Sequence, residues 1–70
     1  MHKHVLYFSA LAECHGAQTW IKANVDEIVD FYIDDETTCF IFYTENPLLI
    51  RQKQTIQNAL NPTTFLSEEL

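Results

Sequence analysis

The chain has 70 residues, one glycine, two cysteines and a formal net charge of −6, with ten acids set against Lys3, Lys22, Arg51 and Lys53. That length makes a single domain, residues 1–70, with a thin stability margin, because a chain this short buries only about 60% of its unfolded surface. The acidic balance excludes the basic footprint of a non-specific nucleic-acid binder, and no apolar run is long enough to span a bilayer.

The N-terminus lacks the apolar region of a secretory signal, so the expected location is cytoplasmic, with reduced thiols. A Cys14–Cys39 bridge remains an alternative. The negative charge serves solubility first, and also permits a basic partner, including one that the protein meets as a mimic of nucleic acid.

Met1 to His4 is polar, and His2 and His4 are expected in solvent. His4 to Ala10 (HVLYFSA) is the first predicted strand. Its continuous Val5, Leu6, Tyr7 and Phe8 predict a strand covered on both faces. Ser9 to Glu13 reads as a connection of small residues or as the opening turn of a helix. Cys14 to Val25 is that helix, since Cys14, Ala17, Ile21 and Val25 form a stripe that Trp20 widens.

From Glu27 to Thr44 two β-rich runs flank an acidic turn at Asp34, Asp35 and Glu36, the pattern of a hairpin. Alternation puts Val29, Phe31 and Ile33 on one face of the first run and Ile28, Asp30, Tyr32 and Asp34 on the other. In the second run Phe40 and Phe42 oppose Cys39, Ile41 and Tyr43. Both faces of that run are apolar, which predicts a central strand whose second face is covered by the chain itself or by another molecule.

Glu45 to Asn61 predicts a second helix, with Asn46 as cap, Pro47 at the first helical position and Asn61–Pro62 as its stop. Its expected stripe is Leu49, Ile56 and Leu60, edged by Leu48 and Ala59. Thr63 to Leu66 reads as a short last strand, and Ser67 to Leu70 as a frayed acidic end. The order strand, helix, strand, strand, helix, strand predicts a ferredoxin-like α+β sandwich: an antiparallel sheet with two helices on one face, and the first and third strands central.

Around Cys14 the chain resembles the heavy-metal-associated domains, the small copper chaperones and the N-terminal modules of copper-transporting ATPases. Cys14, Ile21 and Val25 fall in the frame of their motif, while Ala17 stands in place of the second cysteine and Ala12 in place of the preceding methionine. The resemblance implies the same fold and soft-metal binding. Cu(I) is held by two thiolates, so this chain would need Cys14 with His15, or Cys14 from two copies. The alternative is that Cys14 is a small apolar residue opening the helix stripe.

No catalytic constellation is expected. The sole glycine, Gly16, excludes a P-loop and a dinucleotide fingerprint, and Ser9 has no elbow motif around it. Adjacency gives Cys14 and His15 the wrong geometry for a nucleophile–base pair. The acids Asp26, Glu27, Asp30, Asp34, Asp35 and Glu36 lack EF-hand spacing. The sequence therefore predicts a non-enzymatic interaction module without a cofactor. It would associate through an open sheet face formed by Tyr7, Tyr32, Cys39, Ile41 and Tyr43, with Val5 and Ile28 joining them. A homodimer or a protein partner is expected.

Overall fold

The computed structural model describes all 70 residues. Its elements run β1 (His2–Tyr7), α1 (Leu11–Asn24), β2 (Ile28–Asp34), β3 (Cys39–Thr44), α2 (Ile50–Leu60) and β4 (Thr64–Glu69). The four strands form one antiparallel sheet in the order β2-β3-β1-β4. This is the ferredoxin-like α+β sandwich, with β1 and β3 central as their doubly apolar runs required. Leu6, Phe40 and Phe42 on the inner face of the sheet meet Cys14, Ala17 and Ile21 of α1 and Ile56 of α2.

β1 lies earlier in the chain than its apolar run suggested, spanning His2–Tyr7 instead of His4–Ala10. Phe8 leaves the strand, keeps one bond to Thr38 O at 2.9 Å and turns its ring into the core. α1 starts at Leu11, so residues before Cys14 form the opening turn. The Glu13 carboxylate accepts the Ala10 N–H at 3.1 Å and satisfies a donor that the first turn leaves open.

β2 contains the largest departure from simple alternation. A bulge between Ile28 and Asp30 shifts the register. Ile28 therefore packs against the core, and Val29 is 51% exposed. The expected positions of these two residues are exchanged, because an extra residue in one strand reverses the facing of everything on its far side. The turn to β3 is held by the Asp34 carboxylate, which accepts the Glu36 N–H at 3.0 Å.

α2 starts at Ile50 instead of Pro47, and Asn46 is not its cap. The Leu49 N–H donates to Gln52 Oε1 at 2.8 Å. The segment before the helix dips inward to bury Leu48, leaving Leu49 and Ile50 in solvent. Leu48, expected at the edge of the stripe, is a core residue, and Leu49, expected in the stripe, is not. Asn61 ends the helix as foreseen, in the left-handed conformation at φ 48° that asparagine tolerates. β4 does not fray after Leu66. It pairs with β1 through Glu69, and the Leu70 N–H donates to Met1 O at 2.9 Å.

Candidate interaction surface

The registers place three cross-strand rows on the face away from the helices. One row is Asp30, Tyr43, Lys3 and Glu68; the middle row is Tyr32, Ile41, Val5 and Leu66; the third is Asp34, Cys39, Tyr7 and Thr64. The middle row is wholly apolar or aromatic; the carboxylates lie on the outer strands, and Lys3 lies on central β1. Tyr7, Tyr32, Cys39, Ile41 and Tyr43 thus come together on one surface, as does Val5, while Ile28 belongs to the opposite face.

These residues do not contribute equally. Cys39 and Ile41 are buried beneath their neighbours, Tyr7, Val5 and Tyr43 are half-buried, and Tyr32 and Leu66 are 44% and 53% exposed. Leu66 was missed by sequence reasoning, which ended the last strand there without a register to place it. The chain's own tail does not cover the face, because β4 occupies the sheet edge. The Tyr32 phenol has a raised pKa, chiefly through its interaction with the Tyr43 hydroxyl and then through desolvation.

A second cluster lies on the helix side. His4, expected in solvent, is 1% exposed. Its Nδ1 is 2.7 Å from Ser67 Oγ and its Nε2 is 2.8 Å from Thr44 Oγ1. The Thr44 hydroxyl donates to Asn46 O at 2.6 Å. A hydroxyl has one proton, so Thr44 must accept from Nε2–H, and Nδ1 must accept from the Ser67 hydroxyl. The ring also packs on Phe42, with centroids 4.8 Å apart. Burial lowers the His4 pKa to about 4, helped by the nearby charges of His2 and Lys53. An imidazole so hard to protonate is a weak general base, and the cluster acts as a clamp joining β1, β3 and β4. Counting back by twos from Leu6 assigns His4 to the core face; starting the strand at His4 concealed that signal.

Cys14 and His15 are not brought together. Cys14 is fully buried on the inner side of α1, and His15 is exposed. Burial is the main cause of a raised Cys14 thiol pKa, with Cys39 and Glu13 adding to it. That environment opposes the thiolate that a soft metal requires. Both cysteines are free thiols, so the alternative of a bridge is not realised. No helix is long and apolar enough to cross a membrane. Comparison with protein-family models, with curated proteins and with solved structures yields no match for this chain.

Proposed function

We propose that this protein is a small, non-enzymatic interaction module that docks through the open face of its sheet, with a second copy of the chain as the first form of that association. The supporting observation is the middle row Tyr32, Ile41, Val5 and Leu66, apolar across all four strands and left uncovered by the helices and the tail. A continuous apolar band on so small a protein is the usual mark of a contact surface. The Asp30, Asp34 and Glu68 carboxylates at its margin would orient a partner, while Lys3 opposite Glu68 partly offsets them.

A soft-metal carrier built on Cys14 has less support, because its thiol is buried and its neighbour His15 points elsewhere. The test of the docking reading is sedimentation at rising concentration with wild type and Tyr43→Lys. A mass that rises with concentration in wild type and much less in the variant is the expected result. Equal masses in the two proteins would remove the open face from the account.

A further inference from the structure

The two edges of the sheet are built differently. At the β2 edge the bulge between Ile28 and Asp30 breaks the line of the strand. The Asp30 carboxylate also accepts the outward-pointing Phe31 N–H at 2.8 Å. A bulge and a capped amide are both devices that prevent a foreign strand from pairing. The β4 edge has neither.

The backbone groups that β4 leaves free follow from the ladder. Leu70 N–H donates to Met1 O and Phe8 N–H donates to Thr38 O. Odd residues of β1 therefore bond to β4, and even residues to β3. Odd β1 residues stand opposite Thr64, Leu66 and Glu68, so those three turn their backbone groups inward. Phe65, Ser67 and Glu69 turn theirs outward, along a regular strand.

We infer that β4 is a strand-pairing edge and that its occupant is a second copy of β4, antiparallel, joining two four-stranded sheets into one of eight. This rests on the edge alone and stands apart from the open-face reading. The choice of occupant comes from self-complementarity. Directly opposed residues must lie on the same face, which restricts the two-fold axis to a residue position.

Centring it on Leu66 sets Leu66 against Leu66 of the second copy, Thr64 against Glu68 and Phe65 against Ser67. The outward N–H and C=O groups of Phe65 and Ser67 then meet in hydrogen-bonded pairs. Leu66 is 53% exposed in the single chain, and the pairing would cover it. In this register the two Glu68 side chains stand four residues apart, roughly 14 Å along the strands, beyond the ~8 Å screening length of physiological salt. Centring on Ser67 would oppose Glu68 to Leu66, and centring on Glu68 would oppose two carboxylates. Centring on Phe65 would pair only Thr64 to Leu66 of each strand and set Ser67 against Thr63, whose N–H already donates to Tyr7 O at 2.9 Å. Charge and ladder length together select the Leu66 register.

Leu66→Cys tests it, made in the Tyr43→Lys background so that open-face association does not contribute. In the non-hydrogen-bonded pair the two Cα atoms would lie about 4.5 Å apart, within the range of a disulfide. The native thiols of Cys14 and Cys39 are buried and do not compete. Mild oxidation is expected to give a covalent dimer from Leu66→Cys. Thr64→Cys mixed with Glu68→Cys should give a mixed dimer, and Tyr32→Cys on β2 none. No dimer from Leu66→Cys, or as much from Tyr32→Cys, would overturn the assignment.

Amide exchange of unmodified protein gives a second readout that does not depend on the folding of variants. The Phe65 and Ser67 amides should exchange at least about tenfold more slowly at high than at low protein concentration. Rates independent of concentration would equally overturn a second copy as occupant.

Discussion

His4 and Ser67 stand 63 residues apart in sequence and share a 2.7 Å hydrogen bond between ring nitrogen and hydroxyl. Through it β4 is tied to β1 by a side chain as well as by the ladder. His4 is held neutral, with its pKa lowered to about 4 from 6.5, first by burial and then by the charges of His2 and Lys53. The unfolded chain therefore takes up the proton first as pH falls. Stability is complete above about pH 6.5, declines from there towards pH 4, and levels off for this group below it. The full decline is on the order of 3 kcal/mol. Denaturant midpoints measured from pH 7.5 to pH 4 should show it. His4→Gln should be less stable at neutral pH and show a flatter profile across that range.

The two hydroxyls on His4 should not weigh equally. Thr44→Val removes the acceptor for a fully buried N–H and the donor to Asn46 O at once. Leaving buried polar groups unpaired costs about 2–3 kcal/mol. Ser67 lies on the exposed edge strand, where water can replace its hydroxyl, so Ser67→Ala should cost about 1 kcal/mol or less. Urea denaturation at pH 7 ranks them. A Ser67→Ala loss equal to that of Thr44→Val would contradict the assignment of hydrogen-bond direction.

Topology was legible in the sequence because it depends on features that repeat. The doubly apolar runs Val5–Phe8 and Cys39–Tyr43 identified the central strands, and Asn61–Pro62 fixed the end of α2. The open-face side chains followed from the same alternation. What alternation could not convey was a change of phase. The bulge exchanges Ile28 and Val29 without any glycine or proline to announce it. His4 was hidden for a related reason, since its burial depends on Thr44 and Ser67, which reach it only through the register of three strands. The extent of β4 also came from tertiary pairing: Ser67, Glu68 and Glu69 have little strand preference, and their ladder to β1 overrides it.

The bulge makes a prediction that separates two adjacent aliphatic residues. Val29 is 51% exposed and lies outside the core cluster, so Val29→Ala should change stability by no more than about 0.5 kcal/mol. Ile28 packs against the core cluster, and Ile28→Ala should cost about 1–2 kcal/mol for the apolar area it returns to water. Thermal or denaturant unfolding decides the order. The reverse order would mean that β2 runs in unbroken alternation with Val29 facing the helices.

Cys14 permits a test of the metal reading and of the packing together. Its side chain is fully buried, and burial holds its thiol above the ordinary pKa. A thiol-reactive probe should therefore label it only as fast as the protein opens, and denaturant should accelerate labelling by orders of magnitude. Cys14→Ser places a hydroxyl without a partner in the apolar cluster and should cost about 1–3 kcal/mol. Under reducing conditions, Cu(I) titrated against wild type and Cys14→Ser should give the same weak binding. A wild-type affinity at least about a hundredfold tighter, or about 2.7 kcal/mol, would establish Cys14 as a ligand. The α1 N-terminus would then have to open to expose it.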